Sequence, residues 1–118
     1  MSVRGAVGQF GEDLAARHLA GLGYTIRVRN WRCARGEIDL IAQDQGCLVV
    51  VEVKTRRSST FGDPLEAITP AKLARLRRLA GLYLAQLPEH VAAIRIDAVS
   101  VVIPARGAPI VEHLQGVA

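Results

Sequence analysis

Gly36-Glu37-Ile38-Asp39-Leu40-Ile41-Ala42 is followed, after Gln43-Asp44-Gln45-Gly46, by Cys47-Leu48-Val49-Val50-Val51-Glu52-Val53-Lys54. Both runs are short and aliphatic, and Asp44-Gln45-Gly46 between them is a hairpin signal, so they read as two antiparallel strands. The second is apolar almost throughout until Glu52, the pattern of a central strand covered on both faces. Period two places Glu37 and Asp39 on one face of the first strand, with Ile38 and Leu40 on the other, and gives Glu52 and Lys54 a shared face of the second. Across a hairpin ladder the two pairs come to roughly 5 Å between Cβ atoms. Charges in a half-buried sheet cost free energy unless they are compensated. Placing Glu and Lys at the end of a central strand therefore calls for a chemical reason.

Upstream, residues 6–22 have helical periodicity: Val7, Phe10, Leu14, Ala15, Leu19 and Leu22 fall in one arc, with Gln9, Asp13 and Arg17 opposite. Glu12 lies on the shoulder of that arc, where a carboxylate looks over the edge of the core, and His18 falls inside it as a core histidine. Gly21 and Gly23 end the helix. Tyr24 to Asn30 alternates apolar and basic residues as a half-exposed strand, and a turn through Ala34-Arg35-Gly36 leads into the hairpin.

Downstream, residues 55–68 read as a polar loop, and its Thr55–Pro64 part, carrying Arg56, Arg57 and Phe61, is the expected substrate clamp. Thr69 and Pro70 form an N-cap and first-turn proline for a helix reaching about Leu87. Its stripe is Leu73, Leu76, Leu79, Ala80, Tyr83, Leu84 and Leu87, with Arg75, Arg77 and Arg78 outside. Lys72 falls on the stripe's line, either as a snorkelling stem or as an ammonium aimed at the Asp39–Glu52 region. Residues 92–103 form another strand, and residues 110–114 a short edge strand. The expectation for residues 1–118 is one α/β domain, a mixed sheet flanked by two helices in the order αβββαβ(β).

The 118 residues are half hydrophobic, with a net charge of +4. No apolar run approaches the ~18 residues of a membrane span, and Met1 to Gly5 lacks the apolar stretch of a signal peptide. Cys33 and Cys47 have no CxxC spacing and read as reduced thiols, so the expected compartment is cytoplasmic. A basic chain favours an anionic partner. Eleven of the fifteen Lys and Arg fall between Arg27 and Arg78, around the acidic pair. Arg27, Arg29, Arg56, Arg57, Lys72, Arg75 and Arg78 are the candidate nucleic-acid contacts.

Phosphodiester hydrolysis is the chemistry that uses such a set. Magnesium, or manganese in its place, prefers oxygen ligands and needs only one or two carboxylates beside waters and phosphate oxygens. Asp39 and Glu52 can supply them, with the main-chain carbonyl of Val53 as a third oxygen. Lys54 can orient the attacking water and offset charge on the phosphate, and Glu12 can hold a water from the helix side. His18, His90 and His113 are scattered, which argues against zinc. The competing reading is a structural cluster in which Glu52, Lys54 and Asp39 neutralise one another.

Gly36-Glu-Ile-Asp-Leu-Ile-Ala42 with Val50-Val-Glu-Val-Lys-Thr-Arg56 resembles the YraN-like family of uncharacterised bacterial proteins. That family is similar to the PD-(D/E)xK nucleases, in particular the archaeal Holliday-junction resolvases. Gly11-Glu12, Gly23-Tyr24, Asn30, Phe61-Gly62, Lys72, Ala80 with Tyr83-Leu84, and Arg95-Ile96-Asp97 extend the resemblance over nearly the whole chain. Ile96 departs from it, since an aromatic is expected before the Asp. The resemblance implies a restriction-endonuclease-like fold with Glu12, Asp39, Glu52 and Lys54 as catalytic positions, acting on branched or otherwise structured DNA as a homodimer. The alternatives are a nucleic-acid-binding module without turnover and a protein-interaction domain.

Overall fold

The computed structural model describes residues 5–57 and 68–117. The elements run α1 (Ala6–Gly21), β1 (Thr25–Cys33), β2 (Gly36–Asp44), β3 (Cys47–Arg57), α2 (Pro70–Gln86), β4 (Ala93–Ile103) and β5 (Ile110–Leu114). One five-stranded sheet has the order β1-β2-β3-β4-β5. Its neighbours are antiparallel except β3 and β4, which run parallel because α2 lies between them. The expected mixed sheet flanked by two helices is thus found, and the edge strand at 110–114 with it.

β3 is central, and its alternation explains its uniform apolarity. Val49 and Val51 pack with Leu40, Ala42, Val99 and Val101 beneath Ala15 and Leu19 of α1. Leu48 and Val50 pack with Ile38, Ile41 and Ile96 against Leu76, Leu79, Ala80 and Tyr83 of α2. A strand sandwiched this way has no solvent face on which to place polar residues. Each fully buried aliphatic side chain in these two layers stabilises the fold by about 1.5–3 kcal/mol.

α2 follows its expected stripe, and Thr69 Oγ1 accepts the Lys72 amide at 3.2 Å as N-cap. α1 is turned relative to the expected arc. Its buried line is Gly11, Glu12, Ala15 and Leu19, a rotation of roughly 60° on the helical wheel. Phe10 and Leu22 are consequently 41% and 55% exposed, and Glu12 is buried rather than on the shoulder. Gly11 permits this rotation, because a Cβ there would run into the side chain of Thr55 on β3. At the C-terminus Gly23, with φ +96°, takes the left-handed conformation, and Tyr24 N donates to Leu19 O.

Two irregularities change which residues share a face. Between the pairs Ile26↔Ala42 and Val28↔Ile41 the register slips by one, leaving Arg27 as the extra residue of a bulge. Arg27 then turns to Glu89 beyond α2 and Arg29 to Asp13 of α1, so the two arginines do not form one basic face. The second lies between the pairs Arg29↔Leu40 and Trp31↔Ile38, at the level of Asn30 and Asp39. Asn30 has φ 54°, a left-handed conformation that Asn tolerates better than most residues. Below this level Ile38 and Trp31 pack towards α2, whereas Leu40 packs towards α1. Ile38 and Leu40 therefore do not share a face as strict alternation requires. β3 also runs further than expected, with Thr55, Arg56 and Arg57 pairing with Val101, Val102 and Ile103 instead of starting a loop.

Candidate active site

The β2–β3 ladder closes from Asp44↔Cys47 up to Leu40↔Val51 and pairs no further. Asp39 and Glu52 are the next residues on each strand, so they stand where the hairpin opens. The change of face at Asp39 keeps its carboxylate beside β3: Oδ2 accepts the Val53 amide at 2.8 Å. Asp39 is 6% exposed. Val53 thus meets Asp39 through its N–H. Glu37 lies apart, bonded by Arg32 Nε at 3.1 Å.

Glu52 shares a hydrogen bond with Asp39. Burial first, and then the Asp39 charge and that bond, push its carboxyl up to about 7, while Lys72 and Arg75 pull the other way. A buried and a half-buried carboxylate sharing a hydrogen bond cannot both ionise cheaply at neutral pH without a cation. The donor set therefore fits a hard divalent ion: acidic oxygens, mutual repulsion that a +2 charge removes, and no sulfur or imidazole ligand beside them. Lys72, one of the two cations acting on Glu52, lies in the first turn of α2.

Lys54 follows Glu52 by two residues on the strand and is exposed. Glu12 is 1% exposed. It belongs to α1 and follows Gly11, whose backbone lies close against Thr55 of β3. Among the described residues no group of three or more His, Cys, Asp and Glu is suited to hold a metal ion. The structure joins Asp39 and Glu52 as a pair. Of the candidate nucleic-acid contacts, Arg27 and Arg29 are held in ion pairs on opposite faces, whereas Arg75 lies near the acidic pair. Phe61 and the remainder of the expected clamp, residues 58–64, fall outside the described residues.

Alternation in sequence did not reveal a second polar cluster around Asp97, whose side chain is 0% exposed. Arg95 donates to it through Nε at 2.8 Å and Nη2 at 3.0 Å, and Gly116 N donates at 3.0 Å. His113 Nε2 lies 2.7 Å from Oδ2. Arg95 Nη2 also donates to Tyr24 Oη at 2.6 Å, and Gln115 Nε2 to the same oxygen at 3.0 Å. Burial raises the Asp97 carboxyl, but these donors outweigh it and hold the group below its ordinary value. The cluster fastens the segment after β5 to β4. Because its partners lie up to 91 residues apart, no local spacing could announce it.

No helix in the described residues is long and apolar enough to cross a membrane. The chain is 54% identical to the UPF0102 protein SCO5602 of Streptomyces coelicolor, over all of this chain and 92% of that protein. It is 55% identical to a UPF0102 protein of Kineococcus radiotolerans, over 95% of this chain and 93% of the other. For one of Mycolicibacterium vanbaalenii the identity is 52%, over 98% and 95%. Residues 11–101 match the profile of the uncharacterised protein family UPF0102, a span that opens at Gly11-Glu12 and takes in Asp39, Glu52 and Lys54. The chain belongs to UPF0102, the YraN family.

Proposed function

We propose that this protein is a magnesium- or manganese-dependent endonuclease that hydrolyses phosphodiester bonds in structured DNA. The observation that carries the reading is the Asp39–Glu52 pair, held together where the β2–β3 ladder opens, with Lys72 and Arg75 within electrostatic reach. The resemblance of the GEIDLIA and VEVK segments to PD-(D/E)xK nucleases and archaeal Holliday-junction resolvases supports it.

Asp39 and Glu52 would hold the divalent ion, together with the Val53 carbonyl. When bound, such an ion acidifies water and polarises a phosphoryl oxygen. The chain's own groups do the rest. Lys54, beyond Glu52 on the same strand, orients the attacking water and offsets negative charge on the phosphate. The Val53 amide fixes the Asp39 carboxylate and so sets its orientation. Lys72 and Arg75 attract the phosphate backbone and favour the ionised pair. Glu12, from α1, holds a water on the helix side. A homodimer belongs to this reading, because a 118-residue domain is small to span a junction.

The test is cleavage of labelled junction, flap and linear duplex DNA with magnesium or manganese. The expected result is metal-dependent cleavage of a branched substrate that Asp39→Asn and Glu52→Gln each abolish. Absence of any cleavage dependent on both metal and Glu52 refutes catalysis. Salt-sensitive DNA binding that survives chelation and both substitutions would instead assign a binding module that keeps the fold.

A further inference from the structure

A cleft of about 450 Å³ opens between α2 and the β1–β2 turn, lined by Arg35, Arg75, Arg78, Leu79, Gly81 and Leu82. Its size falls in the range of ligand-binding pockets, roughly 300–1,000 Å³. The apolar part is made by Leu79 and Leu82, with Gly81 adding no side chain. Leu79 is fully buried, but Leu82 is 43% exposed, an apolar surface in contact with solvent.

The charged part is three guanidiniums, with no carboxylate among the described lining residues. None of the three makes an ion pair among the described residues, whereas Arg27, Arg29, Arg32 and Arg95 all do. Arg35 comes from the turn and Arg75 and Arg78 from one helix, so the rim is built from two elements. Arg75 also acts through its charge on the Glu52 carboxyl, which links this cleft electrostatically to the Asp39–Glu52 pair. A second copy of a chain with net charge +4 would bring like charge to this rim, so an anion is the better fit. Guanidiniums bind phosphate bidentately, while an apolar floor suits the flat face of a base or sugar. A paired base is stacked inside its duplex and cannot enter such a cleft, but an unpaired one can.

We propose that this cleft holds one unpaired nucleotide, its phosphate on Arg35, Arg75 and Arg78 and its base against the exposed Leu82. The inference rests on the nucleic-acid reading of the Asp39–Glu52 site and adds to it a preference for DNA with a single-stranded segment beside the cut.

Fluorescence anisotropy tests it with a labelled blunt duplex and the same duplex carrying a short single-stranded tail, in calcium to prevent cleavage. The tailed DNA should bind at least about fivefold more tightly. Arg35→Gln and Arg78→Gln should each weaken it roughly five- to tenfold and lower the salt slope by about 0.7. For Arg35→Gln the blunt duplex should change less than about twofold, and Arg17→Gln, on α1, should change neither DNA. Thermal melts confirm that the variants fold. If the wild-type protein prefers the tail and both cleft variants keep that preference, the cleft assignment is overturned and the nucleic-acid reading stands. If the wild type binds neither DNA, the nucleic-acid reading fails and takes the cleft with it. If sedimentation shows a dimer that Leu82→Lys splits, the occupant is a second copy and the proposal is overturned.

Discussion

Gly11→Ala and Gly8→Ala place the same methyl group in the same helix and should have opposite signs. In an exposed helix interior, Gly to Ala stabilises by about 1 kcal/mol, because the unfolded chain loses freedom. Nothing lies within 4 Å of a Cβ built on Gly8, so Gly8→Ala should gain most of that. A Cβ on Gly11 would meet Thr55 Cβ and Cγ2 at 2.8 Å, with Oγ1 nearer still. Thr55 is β-branched and paired with Val101 in the interior of the sheet, so it can neither rotate away easily nor move with its strand. Overpacking of this kind costs about 1–3 kcal/mol. The upper end applies here, and after the propensity gain a net destabilisation of roughly 1–2 kcal/mol remains. For a chain of this length that lowers Tm by roughly 4–8 °C. Urea titration followed by far-UV circular dichroism and by Trp31 fluorescence gives both free energies. Thr55→Ala removes two of the three close atoms and should recover about 1 kcal/mol of the Gly11→Ala cost in a double-mutant cycle. If Gly11→Ala stabilises as much as Gly8→Ala, the close approach of α1 to β3 is refuted, and with it the burial of Glu12.

Asp97→Asn should destabilise by about 2–3 kcal/mol, below the usual range for breaking a buried ion pair because Arg95 keeps some solvent contact. The Asp97 carboxyl is held below its ordinary value of 3.8 in the fold. Its stabilisation is therefore fully present above that pH and is lost as pH falls through the lower folded value; acid titration of stability should be steeper for the wild type than for Asp97→Asn. Glu52 has the opposite sign. With its folded carboxyl raised from 4.5 to about 7, the protein in EDTA should lose stability as pH rises across that window. Glu52→Gln should flatten the slope in differential scanning fluorimetry. Manganese at neutral pH should raise Tm of the wild type by an amount that grows with its concentration, and should leave Asp39→Asn unmoved.

The central strand and the α2 stripe were legible because burial on two sides, or along one helical line, leaves a direct mark on residue type. The exposed Phe10 and the buried Glu12 were not legible. A helical wheel orients α1 by where its apolar residues are densest, but the actual orientation is set by how closely a backbone lacking a Cβ at Gly11 can approach Thr55, a residue on another element. Asp39 was found for a partly mistaken reason. Regular alternation put Ile38 with Leu40 and let the acids meet across a continuing ladder. In the structure Ile38 and Leu40 pack on opposite faces and the ladder ends at Leu40. Arg35 escaped notice because turn residues carry no periodicity, and its meaning depends on α2, which lies far along the chain.

On the proposed reading, the end of the ladder is what suits the acidic pair to a metal ion. Had β2 and β3 continued in register, Asp39 and Glu52 would stand as like charges opposite each other in a closed sheet, a destabilising arrangement with no reachable oxygen. The left-handed conformation of Asn30 and the change of face at Asp39 coincide with the level at which the hairpin opens. The Val53 N–H then bonds the carboxylate of Asp39 instead of a carbonyl across the ladder. A backbone donor is thus converted into a support for a side chain. Replacing Asn30 by a β-branched residue, which resists φ near +54°, should push β1 and β2 back towards regular pairing. Asn30→Val is therefore expected to lose about 1–2 kcal/mol of stability and to weaken manganese-dependent stabilisation, although residue 30 touches no proposed ligand of the ion. Asn30→Gly, which accepts the same backbone angle, should preserve the manganese response. If Asn30→Val keeps the full response, the opening of the hairpin does not depend on that residue and the geometry of Asp39 has another cause.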